Sequence, residues 1–164
     1  MKDWDEPLAG RHVKMGYAEI IQKNSQESPV RWWSRYAFHY TDVVNAVGIL
    51  SLGSLYSRIY ASETKLMQND NASIQVINMT ESAAVSSVRF YFRPLTPTQY
   101  YNEGFKHKDI RYDGDDNANV PVPIFLLFDL EKLLNHPNIS FSQLSQAGFG
   151  SPIYQGEEAF AKLD

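Results

Sequence analysis

Phe38-His39-Tyr40-Thr41-Asp42-Val43-Val44-Asn45-Ala46-Val47-Gly48-Ile49-Leu50 changes character in its middle, and that change decides how the chain is built. The run leading into it, Trp32-Trp33-Ser34-Arg35-Tyr36-Ala37, is aromatic and β-rich, so a core strand is expected over about 36–40. Asp42 then suits a helix N-cap, because its carboxylate can accept a backbone N–H that the first turn leaves without a partner. The apolar residues Val43, Val44, Ala46, Val47, Ile49 and Leu50 continue that helix. Within Leu52-Gly53-Ser54-Leu55, Gly53 is the natural stop, since a left-handed backbone costs glycine little.

Outward from this block, Val122-Pro123-Ile124-Phe125-Leu126-Leu127-Phe128 reads as the clearest strand. Asp129 caps a following helix that ends near His136 and is stopped by Pro137. Val88 to Phe92 reads as a strand ended by Pro94, Ile139-Ser140-Phe141 as an edge strand, and Thr98 to Gly104 as a helical turn. Ser54 to Arg58 is expected to lead into a second strand or extended turn, and Ser73 to Ile77 reads as a short strand or helical turn. Tyr17 to Lys23 suits a short helix or strand, and Asn24-Ser25-Gln26-Glu27-Ser28-Pro29 reads as a linker. The chain thus divides into an N-terminal extension and linker, 1–30, and a domain, 31–164. Polar stretches at 61–72 and 113–117 read as loops, the first of them mobile. Short strands and short helices in this order give an α+β fold.

Composition excludes several classes. With no cysteine among 164 residues, a disulfide, a thiolate zinc site and a cysteine nucleophile are all ruled out. The apolar run from Val120 to Leu130 is too short to span a bilayer, and the acidic start Met1-Lys2-Asp3-Trp4-Asp5-Glu6 is no signal sequence, so a cytoplasmic protein without a membrane partner is expected. His12, His39, His107 and His136 lack metal-ligand spacing, so no metal is expected. Neither a Gly-Lys-Ser/Thr phosphate loop nor a Gly-x-Ser-x-Gly elbow occurs. The net charge of −4 gives no overall attraction to nucleic acid. Base is nonetheless concentrated at Arg31, Arg35, Arg58, Arg89 and Arg93 and again at Lys106, His107, Lys108 and Arg111. A basic face and a set of solvated loops both account for it.

The chemistry-bearing residues fall in two blocks. His39 and Thr41 share a strand face, and Asn45 opens the helix after them. A histidine donor, a hydroxyl and an amide beside a helix N-terminus suit the ribose hydroxyls and carboxamide of a dinucleotide, although a lone histidine in an aromatic strand is more often a core residue. Forty residues on, Val88-Arg89-Phe90-Tyr91-Phe92-Arg93-Pro94-Leu95-Thr96-Pro97 is followed by Gln99-Tyr100-Tyr101. A ring there can stack on a cationic pyridinium, with Tyr91 first and Tyr101 second, or can simply pack in a core.

Together, the aromatic-His-x-Thr-Asp block with its Leu-Gly-x-Leu turn and the aromatic Pro-x-x-Pro block resemble the DarT family, NAD-using ADP-ribosyltransferase toxins that modify DNA. The resemblance covers about 36–164. It implies two small antiparallel sheets and short helices around an NAD cleft, with NAD as substrate and His39, Tyr40, Thr41, Asn45 and Tyr91 as its binding residues. It further implies single-stranded DNA as the acceptor and an antitoxin with a macrodomain as partner. Two departures stand out. Arg93 replaces an asparagine before the first proline, and 73–88 lacks the arginine the family carries there, except that Arg58, Arg89 or Arg93 can supply the charge for substrate binding. The family's catalytic glutamate hydrogen-bonds the ribose 2′-hydroxyl and stabilises the oxocarbenium-like transition state. It follows a segment like Gln155-Gly156-Glu157-Glu158-Ala159-Phe160, so a chain ending at Asp164 is expected to lack it and its C-terminal strands and to be inactive or weakly active. Within the chain, Gln155-Gly156-Glu157 fits the Gln-x-Glu pattern of other ADP-ribosyltransferases and makes Glu157 the internal catalytic candidate. The reading from another class is a non-catalytic module that binds NAD or single-stranded nucleic acid through aromatics beside Arg31, Arg35 and Arg89.

Overall fold

The computed structural model describes residues 15–70, 77–78, 80, 82–104, 109, 120–146 and 150–163. The strand-to-helix switch read from the sequence is present. Strand β1 runs Tyr36–Asp42 and helix α2 runs Val43–Leu52, with Asp42 accepting from the Val44 N–H at 2.8 Å and Gly53 ending the helix at φ 64°. Strand β2, Pro123–Asp129, pairs antiparallel with β1 from Tyr36↔Asp129 to Asp42↔Pro123. Asp129 closes β2 and caps the helix Leu130–Leu134 by accepting from the Lys132 N–H at 2.9 Å.

Helix α1 spans Tyr17–Glu27, so Asn24 to Glu27 complete a helix and do not form a linker. The reason is tertiary. Tyr17, Ile20, Ile21 and Ser25 fall on one buried helical face, and the Ser25 hydroxyl is satisfied by the Arg31 carbonyl at 2.7 Å. That face meets Leu130, Leu134, Ala37, Phe141 and Phe160 in the core cluster.

The remaining helices are short: α3 (Arg58–Glu63), α4 (Ser82–Val85), α5 (Pro97–Asn102), α6 (the Leu130–Leu134 helix) and α7 (Glu157–Phe160). Arg58 therefore starts a helix where a second strand or extended turn was expected; the Ser57 side chain caps it. Two expected strands reduce to single bridges. Val88 to Phe92 meets β1 only where Phe38 and Tyr91 exchange both backbone hydrogen bonds at 2.8 Å, and Ile139 to Phe141 only where Phe141 meets Tyr154. The described residues thus contain one two-stranded sheet within a mixture of helices and strand, where two small sheets were expected. Residues 71–76 and the stretch 113–117 lie outside the described residues, as does the basic cluster at 106–108 and 111.

Candidate functional site

The end of β1, the inner side of α2 and three connecting segments enclose a cavity of about 210 Å³. His39, Tyr40, Thr41 and Asp42 arrive on β1, while Asn45, Gly48, Ile49 and Leu52 line it from α2. Leu66, Met67, Asn69 and Asp70 form one side, and Arg58, Arg89, Tyr91, Asn102 and Val120 complete the wall. The strand-to-helix switch at Asp42 is what brings a strand end and a helix start to the same place. Alternation alone would turn Tyr40 away from His39 and Thr41, but the cavity wraps the strand end and takes all three.

His39 is held by its Nδ1, 3.0 Å from the Arg89 carbonyl oxygen, and its ring meets Phe90 edge-on at 6.1 Å. A carbonyl only accepts, so Nδ1 carries the proton in that bond and Nε2 is an acceptor when the ring is neutral. Burial keeps it neutral: desolvation is the largest influence and pulls its pKa below 6.5, the Arg89 carbonyl opposes this, and the Arg89 guanidinium adds to it. The free nitrogen is thus an acceptor, where the sequence suggested a donor.

Tyr40 stands against Phe125 at 5.3 Å, and its hydroxyl is buried without a hydrogen-bond partner among the described residues. Burial raises its pKa, reinforced by Glu103, Asp42 and Tyr91, so the phenol stays protonated and remains a donor. A buried hydroxyl lacking a partner marks a place where an incoming polar atom would be welcome.

Asn45 is engaged differently. Its Oδ1 accepts from the Gln68 and Asn69 N–H groups at 2.8 and 3.1 Å, and its Nδ2 donates to the Asn69 carbonyl at 2.7 Å. Asn69 in turn donates to the Asp42 carboxylate at 3.0 Å. This clasp fastens the 66–70 segment against the helix start, so this part of the expected mobile loop is tied down. Arg58 forms an ion pair with Asp70 on the same wall. The cavity therefore brings together His39, Tyr40, Thr41, Asn45, Tyr91, Arg58 and Arg89.

Two site candidates lie elsewhere. Arg93 is exposed and does not line the cavity. Glu157 begins α7 beside Gly16 and α1, away from the cavity, because Phe160 anchors that helix in the core through Tyr17, Phe92 and Phe141. The Tyr101 side chain lies outside what is described. Sequence reasoning passed over Gly48 and Asn69. A glycine inside an otherwise apolar helix was a signal for the first, since a side chain there would find no atom within 4 Å.

Among the described residues, no group of three or more His, Asp or Glu side chains is placed to hold a metal ion, and no helix is long and apolar enough to cross a membrane. Comparison with protein families matches residues 38–164 to the one described as ssDNA thymidine ADP-ribosyltransferase, DarT. No curated protein and no solved structure matches the chain.

Proposed function

The chain belongs to the DarT family of ssDNA thymidine ADP-ribosyltransferases, and from that premise we propose that the cavity at the β1–α2 switch takes NAD and presents its ribose to a thymidine of single-stranded DNA. The observation that supports this most is the convergence of a neutral histidine, a phenol without a partner among the described residues, a hydroxyl and a tyrosine ring in one cavity. In this reading His39 Nε2 accepts from a ribose hydroxyl, and Thr41 and the Tyr40 hydroxyl meet the remaining ribose or carboxamide groups. Tyr91 lies over the pyridinium, where a ring face attracts cationic charge. Asn45 acts as a positioning residue through the clasp on 66–70. Arg58 and Arg89 face the phosphates. The reaction breaks the bond between nicotinamide and ribose, releases nicotinamide, and joins that ribose carbon to thymidine, which gives up one proton to solvent. A macrodomain antitoxin is the partner this reading brings with it.

The test uses NAD labelled on its adenosine. Against the expectation of an inactive or weakly active chain, label should pass to a single-stranded oligonucleotide containing thymidine, and neither to its duplex form nor to a thymidine-free strand. His39→Ala should cut transfer about a hundredfold, the scale of losing one positioned polar contact in the transition state. Transfer that ignores thymidine, or a His39→Ala variant as active as the parent, would refute it.

A further inference from the structure

Ahead of the family-matched residues, a single turn gathers an exposed aromatic and two arginines. The turn Trp33–Arg35 leaves Trp32 with 50% of its surface exposed, and Arg31 and Arg35 on either side are also exposed. Neither guanidinium has an ion pair or hydrogen bond among the described residues. Exposing half of so large an apolar ring has a cost, yet the ring is not loose: it meets Trp33, Tyr36 and Phe38 at 6.2, 6.2 and 6.0 Å. Tyr36 and Phe38 share their face of β1 with Tyr40, which lines the cavity. Phe38 precedes Tyr40 by two strand residues, about 7 Å. Trp32 thus joins the row of rings on the strand face whose last member, Tyr40, reaches the cavity.

We propose that Trp32, with Arg31 and Arg35, is an accessory docking platform for single-stranded DNA, on which a base next to the reacting thymidine stacks while the arginines hold its phosphates. The proposal rests on the reading of the cavity as an ssDNA transferase site. An exposed ring with exposed arginines one residue before it and three after it is complementary to a nucleotide on both counts, because every base has a π-face and every linkage carries a negative charge. It also supplies locally the attraction that a chain of net charge −4 lacks overall. The platform carries no base identity. It tightens binding of any strand long enough to reach it, and the cavity selects thymidine.

Binding and transfer are measured on the full chain with a long and a short thymidine oligonucleotide. Trp32→Ala should weaken the long strand about tenfold, within the range found for loss of one stacked base, and Trp32→Phe should restore most of that. Arg31→Ser with Arg35→Ser should lower the slope of log affinity against log salt by about 1.4, at about 0.7 per lost phosphate contact. Transfer to the long strand should show a raised KM with kcat unchanged, and the short strand should be indifferent. Because both arginines are exposed, their double variant keeps the test valid even if Trp32→Ala fails to fold. A parent that labels single strands, with arginine variants of unaltered affinity and salt slope, overturns the platform alone. A parent that neither binds nor labels any single strand overturns the cavity reading together with it.

Discussion

Among the described residues the Tyr40 hydroxyl is buried without a hydrogen-bond partner, and the His39 ring in the same cavity is held through its Nδ1. A hydroxyl buried without a partner destabilises, so Tyr40→Phe should raise stability by up to about 1 kcal/mol in chemical denaturation. The same variant should lower transfer from NAD if that hydroxyl serves the substrate, and a rise in stability without loss of activity would leave Tyr40 outside the site. His39 makes a prediction of the opposite kind. Its pKa is lowered in the folded state, so the unfolded chain binds the proton more readily. The associated stability is complete above about 6.5 and is lost as pH falls through the lower folded value. Melting temperature should fall on acidification below 6.5 and fall less steeply in His39→Gln. Equal slopes in both proteins would remove burial of the neutral ring as the cause.

At the scale of elements, local chemistry made some of the architecture readable and non-local chemistry hid the rest. Asp42, Gly53 and Asp129 act on their immediate neighbours, so the end of β1, both ends of α2 and the start of α6 were legible. Val88 to Phe92 has every residue preference of a strand, but a strand also needs a partner along its length, and only Tyr91 finds one. Asn24 to Glu27 has the composition of a linker and becomes helix because Ser25 is buried on the same face as Ile20 and Ile21. The site shows the same division. That His39, Thr41 and Tyr91 come to one cavity follows from strand and motif, whereas the clasp from Asn45 to Gln68 and Asn69 spans more than twenty residues and leaves no local mark. Asn45→Ala removes that clasp and should cost about 1–2 kcal/mol, with a raised KM for NAD. On the same helix, Gly48 lines the cavity with open space where a side chain would stand. Gly48→Ala should therefore stabilise by up to about 1 kcal/mol through helix propensity, while Gly48→Leu should fill the cavity and abolish transfer at unchanged melting temperature or above.

Across the whole molecule, α7 separates architecture from chemistry. Phe160 is 4% exposed and closes the cluster formed by α1, α6 and Phe141, while Glu157 at the other end of the helix stays outside the cavity. Phe160→Ala should cost about 3–5 kcal/mol, enough to unfold a marginally stable domain. Glu157→Gln should leave both melting temperature and transfer close to the parent's, and loss of transfer with the fold intact would return Glu157 to catalysis.

The pairing of β1 with β2 has a consequence during synthesis of the chain. About eighty residues separate Asp42 from Pro123, and closing so long a loop is entropically costly until both strands exist to reward it. At about 5–20 residues per second, β2 leaves the ribosome roughly 4–16 s after β1. His39, Tyr40 and Thr41 are made early but are held in place by a strand made late. A ribosome-bound nascent chain stalled ahead of Pro123 should thus bind no NAD, so the transferase stays silent while it is still being translated.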